Sequence, residues 1–228
     1  MSKLIAIDGV DASGKQTHTD MLFEKLSNDG LNVRKISFPD YESASSALVK
    51  MYLSGKFGEN PEDVNAYAAS SFFAADRFAS FRTDWMEFYK KPDSIIIADR
   101  YVSSNMIHQA SKIDDVDEKN KFLNWLCELE FEIYGIPKPD ITFFLDMPTD
   151  FARQLMRERE NKFDKNAAKD IHERNKKYLE KSYENACFIA DKYNWNRISC
   201  VKNNTIRSIN EINDELYNTV CKTILKKE

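Results

Sequence analysis

The stretch Gly9-Val10-Asp11-Ala12-Ser13-Gly14-Lys15-Gln16-Thr17 follows the apolar run Leu4-Ile5-Ala6-Ile7. It precedes a segment, 17–29, in which Met21, Leu22 and Leu26 recur at helical spacing. Strand, glycine-bounded loop and helix start, in that order, make an anion cradle. Backbone N–H groups of the loop and of the helix N-terminus converge on one point, and Lys15 adds a full positive charge. This is the arrangement of a P-loop, which holds the phosphates of a nucleoside triphosphate. One position departs from the pattern. A serine or threonine directly after the lysine normally ligates magnesium; here that position is Gln16, and the hydroxyl comes one residue later, at Thr17. The plainer reading is a strand–helix turn with a solvated Lys15. A dinucleotide fingerprint is disfavoured, because G-x-G-x-x-G needs a middle glycine and only Gly9 and Gly14 are present.

Working outward, β-rich runs at 3–8, 32–38, 94–99, 140–146 and about 197–201 alternate with helical stretches. The alternation predicts an α/β fold of three layers: a five-stranded parallel sheet with helices on both faces, in one domain over 1–228. Asn60-Pro61-Glu62-Asp63 carries a cap residue, a proline at the first position and acids in the first turn, which predicts a helix start; Pro92 ends that helix near Lys90. Another helix runs from near Asp117 to Gly135, and a terminal one over about 205–225. The stretch 157–177 is polar and charge-rich, which suits either an insertion over the site or a solvated helix-loop-helix.

Of 228 residues, 42% are hydrophobic and 31% charged, enough for one sizeable core, and the net charge of −4 gives no basic field for nucleic acid. Cys127, Cys187, Cys200 and Cys221 are widely spaced, with no zinc-type cluster, so reduced thiols in a cytoplasmic protein are expected. The N-terminal residues lack a signal-peptide pattern, and no apolar run is long enough to span a membrane.

In open α/β sheets ligands sit beyond the carboxyl ends of the strands, which brings Ser37–Tyr41, Asp99–Ser104 and Asp146–Asp150 beside the cradle. Asp99-Arg100-Tyr101 closes an apolar strand. Asp99 there suits a magnesium ion, directly or through water, and Arg100 suits an acceptor phosphate; a structural Asp–Arg pair is the alternative. Phe73 and Arg77 share a helix face, an aromatic plane plus a cationic fork fit for a flat base, although core packing and an ion pair to an acid explain them equally. Arg153 and Arg157 share a face of the segment after the fourth strand, while Arg159 points elsewhere. They read either as a solvated helix or as a phosphate-closing lid.

Taken in order, these pieces resemble thymidylate kinase (dTMP kinase), a family of P-loop nucleoside monophosphate kinases. The resemblance is carried by Asp8-Gly9-Val10-Asp11 with Gly14-Lys15 and Thr17, Phe38-Pro39, Phe73 and Arg77, Asp99-Arg100-Tyr101 with Ser103, Ser104 and Gln109, Lys138-Pro139-Asp140, Arg157 with Arg159, Ile171-His172-Glu173-Arg174 and Asn194-Trp195. The resemblance implies transfer of the ATP γ-phosphoryl to dTMP, with Mg²⁺, in a homodimer. It implies that Asp11, Ala12, Ser13, Gly14, Lys15, Gln16 and Thr17 hold the donor phosphates, with Lys15 bridging the transferring group. Asp11 would approach the acceptor sugar and Arg100 its phosphate. Phe73 would stack on thymine, Arg77 bind its O4 edge, and Gln109 face the base with Ser104 nearby. Asp99 and Asp8 would organise the metal, and Arg153, Arg157 and Arg159 would act from a lid at about 153–172. Three departures follow. Gln16 stands where the metal-ligating hydroxyl belongs. Ala12 stands where the eukaryotic branch has an arginine, which moves the catalytic arginine to the lid. Tyr41, beside Phe38-Pro39-Asp40, stands where some members have a phosphate-gripping arginine. A deoxynucleoside kinase and a nucleotide-binding switch are the competing functions.

Overall fold

Alternate residues of the central strands enter different cores. Ile5 and Ile7 pack into one apolar cluster with Ile95 and Ile97, while Leu4 and Ala6 pack into another with Ile96 and Ala98. A strand apolar on both faces demands a layer on each side, which is the physical origin of the three-layer fold. The computed structural model describes residues 2–162 and 171–226, the side chains of 159–162, 173 and 174 excepted. In chain order the elements are β1 (Lys3–Gly9), α1 (Lys15–Asn28), β2 (Asn32–Ser37), α2 (Ala47–Leu53), α3 (Ala66–Ser80), α4 (Met86–Tyr89), β3 (Ser94–Asp99), α5 (Val102–His108), α6 (Val116–Cys127), β4 (Ile141–Asp146), α7 (Thr149–Lys162), α8 (Ile171–Arg174), α9 (Lys176–Lys192), β5 (Asn196–Ser199), the pair β6 (Val201–Lys202) and β7 (Thr205–Ile206), and α10 (Ile209–Thr223).

The expected five-stranded parallel sheet is present, in the order β2-β3-β1-β4-β5. Leu22 and Leu26 of α1 and Leu216 and Val220 of α10 cover one face. Trp85 and the α6 residues Phe122, Leu123 and Leu126 cover the other. β1 lies at the centre, between β3 and β4, so the loop after it opens where successive connections leave in opposite directions, the place where such sheets bind ligands.

Four boundaries differ from expectation. The helix expected from Asn60 begins at Ala66. Pro61–Asp63 form only a 3₁₀ turn, and Val64 is extended at φ −114° and ψ 122°. Asn65 then caps α3 by accepting from the Ala68 N–H at 2.9 Å. Two start signals lie close together, and the extended backbone required at the second cap interrupts the first. Beyond Ser80 the helix widens into a π turn, Phe81–Trp85, before α4. α1 begins at Lys15 rather than at 17, because the helix continues the cradle without a break. The last sheet strand stops at Ser199, since Val201 pairs instead with Ile206. The terminal helix starts at Ile209, where Ser208 and Glu211 cap each other reciprocally at 3.2 and 2.9 Å.

Candidate active site

The cradle between β1 and α1 is fixed by close approach. A Cβ on Gly9 would meet Ser13 Oγ at 2.7 Å and the Leu145 carbonyl oxygen at 2.9 Å, so only glycine lets the loop fold against β4. Gly14 has φ 84°, a left-handed value that caps α1 without a side chain. Ala12 also has a left-handed φ, 61°, which is a strained conformation for a residue with a Cβ. Lys15 is buried and folds over the loop, its Nζ donating to the carbonyls of Val10 at 2.7 Å and Gly9 at 3.1 Å. Burial, then the nearby Arg100 charge, push the Lys15 pKa down to about 8, against the pull of Asp11, Asp8 and Asp99. Ser13 is buried, while Gln16 and Thr17 are exposed on the first turn of α1.

Asp8, at the end of β1, ties the cradle to α5. Its carboxylate accepts from the hydroxyls of Ser103 at 2.7 Å and Ser104 at 2.8 Å and from the Gly9 N–H at 2.9 Å. Its oxygens are therefore heavily committed to protein donors. Asp99, paired in register with Ile7, is different. No donor among the described residues hydrogen-bonds its carboxylate. Burial raises its pKa, while Lys15 and Arg100 pull the other way.

Arg100 follows with φ 65°, a second strained position. Its Nη2 donates to Asp11 Oδ1 at 2.5 Å, and its Nη1 lies 3.4 Å from His108 Nε2. Burial alone would raise the Asp11 carboxyl, but Arg100 and then Lys15 hold it well below the usual carboxylate range. Burial pushes the His108 pKa down to about 4, so the ring is neutral and accepts from Arg100.

Arg100 and the cradle residue Asp11 help to line a cavity. Its walls bring together residues expected from four separate segments: Phe38 and Tyr41 after β2, Phe73 and Arg77 on α3, Ser104 on α5, and Gln109 just beyond it. Gln109 is buried, and its Oε1 has no hydrogen-bond partner among the described residues. Arg77 does pair with an acid: Nε and Nη2 donate to the two oxygens of Glu130 at 2.7 and 2.5 Å. Asp76, one residue earlier, accepts from the Asp40 N–H at 2.9 Å and the Ser45 hydroxyl at 2.6 Å, which fixes the loop carrying Tyr41.

Arg153 and Arg157 lie on α7, half-buried and exposed respectively, and neither lines the cavity. The Arg159 side chain and residues 163–170 of the expected lid fall outside the described residues. Of the stretch expected as a lid, the described residues are the C-terminal part of α7 and the first residues of α8.

Sequence reasoning assigned no role to four contributors, Asp76, Glu130, His108 and His172, although Asp76 and His172 lie within stretches that carry the resemblance. Asp76 and Glu130 act through other residues. His108 lies one residue before Gln109 and one helical turn after Ser104, a spacing that could have flagged it. His172, from α8, also lines the cavity, and its Nε2 lies 2.8 Å from the Tyr52 hydroxyl. Burial holds its pKa down at about 3.

Among the described residues no cluster of acids, histidines and cysteines forms a ready-made metal cage. A free carboxylate at Asp99 beside the phosphate cradle is still the donor set that magnesium asks for, since this ion takes one or two carboxylates and completes its shell with substrate phosphates and water.

The sequence profile of a family described as Thymidylate kinase matches residues 7–206. A thymidylate kinase of Mycobacterium tuberculosis is 31% identical over 172 residues, covering 75% of this chain and 78% of the relative. A probable thymidylate kinase 1 of Saccharolobus solfataricus is 32% identical over 193 residues, 84% of this chain and 89% of its own. A probable thymidylate kinase of Sulfurisphaera tokodaii, at 27% identity, spans 98% of both chains. The matched span runs from the last residues of β1 through cradle, cavity, α7 and β5, and on these grounds the chain belongs to the thymidylate kinase family.

Proposed function

We propose that this chain transfers the γ-phosphoryl group of ATP to dTMP, giving dTDP and ADP, with the cradle as donor site and the cavity as acceptor site. The observation that carries this reading is the convergence of Phe73, Arg77 and Gln109 on one cavity that Arg100 and the P-loop residue Asp11 also line. Asp11, Ala12, Ser13, Gly14, Gln16 and Thr17 surround the donor phosphates. Lys15 leaves the Gly9 and Val10 carbonyls to bridge the transferring group. Arg100 binds the acceptor phosphate, and Asp11 orients Arg100 while facing the acceptor sugar. Phe73 stacks on the base, with Arg77 and Gln109 at its polar edge and Phe38, Tyr41 and Ser104 closing the sides.

The acceptor phosphate already carries a nucleophilic oxygen, so no strong base is required. Catalysis then comes from in-line positioning and from neutralising the charge on the transferring oxygens. Arg153, Arg157 and Arg159 supply part of that charge when the lid closes and excludes water. Asp99, with Asp8 behind it and Gln16 close by, would hold Mg²⁺, and the ion would supply further charge neutralisation on the donor phosphates. A deoxynucleoside kinase would need a carboxylate base with room for a hydroxyl. Asp8, a conceivable candidate, already accepts from Ser103, Ser104 and Gly9.

Two wider readings go with this one. A homodimer is supported by Tyr67 and Phe78, exposed aromatic residues about three turns apart on α3, with exposed Ile133 next to the Phe78 neighbour Tyr134. Residence in the cytoplasm is supported by the four cysteines, all unpaired, while no described helix is long and apolar enough to cross a membrane.

Coupled ADP release over a panel of dTMP, dUMP, dCMP and thymidine tests the proposal. Turnover that depends on dTMP is expected. Activity with thymidine but not dTMP would overturn it, as would ATP binding with no acceptor-dependent turnover.

A further inference from the structure

The Arg77–Glu130 pair is enclosed on all sides, with the two side chains 1% and 0% exposed. Arg77 projects from α3 one turn after Phe73, and Glu130 comes from the π turn Glu128–Ile133 that continues α6. π turns inside helices recur at functional sites, where they re-aim a side chain. Both carboxylate oxygens are taken by two parallel N–H bonds from Nε and Nη2. That fork-on-fork geometry sets the plane of the guanidinium as well as its position. Nη1 makes one long bond, 3.4 Å, to the Tyr101 carbonyl oxygen. One N–H on Nη1 and one on Nη2 are left without a partner among the described residues, and Arg77 lines the cavity with Phe73 and Gln109.

A buried ion pair is weak evidence of stabilisation, because the desolvation of two charges offsets most of their attraction. The placement of this one calls for another account. We infer that Glu130 is a positioning residue for base discrimination: it locks Arg77 in the plane from which the remaining N–H groups meet a keto oxygen of the acceptor base. This rests on the cavity being the dTMP site. A freely rotating arginine adapts to many partners, and holding it in one plane costs side-chain entropy. A locked donor pair rejects an amino group, because donor then faces donor in a site without water.

Glu130→Gln keeps the volume but removes one acceptor, which breaks the fork. Steady-state kinetics with dTMP and dCMP should show KM for dTMP rising about tenfold, with kcat and KM for ATP within about twofold. The preference for dTMP over dCMP in kcat/KM should fall about tenfold. An unchanged KM and preference in folded Glu130→Gln overturns the inference. So does a joint loss of kcat and ATP affinity with the preference intact, the mark of a merely structural role. Should Glu130→Gln fail to fold, the double variant Arg77→Met/Glu130→Met replaces the pair by apolar side chains that a core tolerates, while Arg77→Met alone leaves Glu130 buried without its partner, where desolvation favours its protonated form. Equal KM and equal preference in these two are expected, since Glu130 acts only through Arg77; a further loss in the double variant overturns the inference. Phe73→Ala separates the two levels. If it raises KM for dTMP while Glu130→Gln does not, only the inference fails; if neither variant changes KM, the reading of the cavity as the base site fails with it.

Discussion

The cradle and the cavity meet at Asp11 and Arg100, yet they are built by opposite means. The cradle is nine consecutive residues, 9–17, and its ligand groups are largely backbone N–H groups held by local conformation. Gly9 clears Ser13 and Leu145, Gly14 takes a left-handed φ, and Lys15 covers the loop. The cavity is made of side chains from β2's following loop, α3, α5 and α8, several of them held by a partner elsewhere: Arg77 by Glu130, the Tyr41 loop by Asp76, His172 by Tyr52. Backbone donors recognise any phosphate in the same way. Side chains brought from several elements recognise one shape. A kinase with a general donor and a selective acceptor has reason to use both constructions.

The largest expected effect attacks the donor half. Lys15→Met removes the one positive charge of the cradle and should lower kcat by about 10³-fold in a coupled ADP assay, with folding intact by circular dichroism. A loss of less than about tenfold would mean that the backbone cradle suffices without its lysine.

Arg100→Ala tests the boundary between the halves. One charge-assisted contact is worth about 1.5–3 kcal/mol, so KM for dTMP should rise by about 10- to 100-fold while ATP affinity, read by titration, stays close to the parent value. A collapse of ATP affinity instead would assign Arg100 to the cradle and erase the division drawn above.

A smaller effect separates the halves by pH. The folded pKa of Lys15 is depressed to about 8, so its proton is lost as pH rises through that value. The charged form is the one that binds phosphate. In the free enzyme kcat/KM for ATP should therefore fall above about pH 8, whereas kcat at saturating ATP should hold to higher pH because bound phosphates favour the proton. For dTMP, burial keeps His108 and His172 neutral down to about 4 and about 3, so neither imidazole should add a transition near neutral pH. A transition between pH 6 and 7 in kcat/KM for dTMP beyond the one that the phosphate of dTMP itself contributes there would place a titrating histidine in the acceptor half.

The smallest change is expected at Gln16→Ser. Gln16 is exposed on α1, and Asp99 offers a carboxylate, so turnover and its magnesium dependence should stay within about twofold. Complete inactivation would give Gln16 a dedicated place in the cradle.

Much of this molecule was legible before folding. The five strands follow from short apolar runs, and their parallel order from alternation with helices, because period-two burial and crossover chirality act over tens of residues. Where the reading slipped, competing local signals were at work. Asn60 and Asn65 both qualify as helix caps, and nothing nearby in the chain says that Asn65 prevails. The end of β5 depended on Val201 finding Ile206 across a turn.

The sequence alone determined the cradle, since a phosphate loop is a local backbone shape and its glycines and lysine are its instructions. It also marked Phe73, Arg77, Asp99 and Arg100 as candidates by their chemistry, and the family resemblance added Gln109. Only the tertiary structure decided what these side chains do with their charges: that Asp8 is spent on Ser103 and Ser104, that Asp11 holds Arg100, and that Glu130, 53 residues along the chain, holds Arg77. Side-chain partnership across such separations leaves no periodicity or motif in the chain. It is set by which faces the helices present once the sheet has formed and the remaining polar groups must find partners out of reach of water.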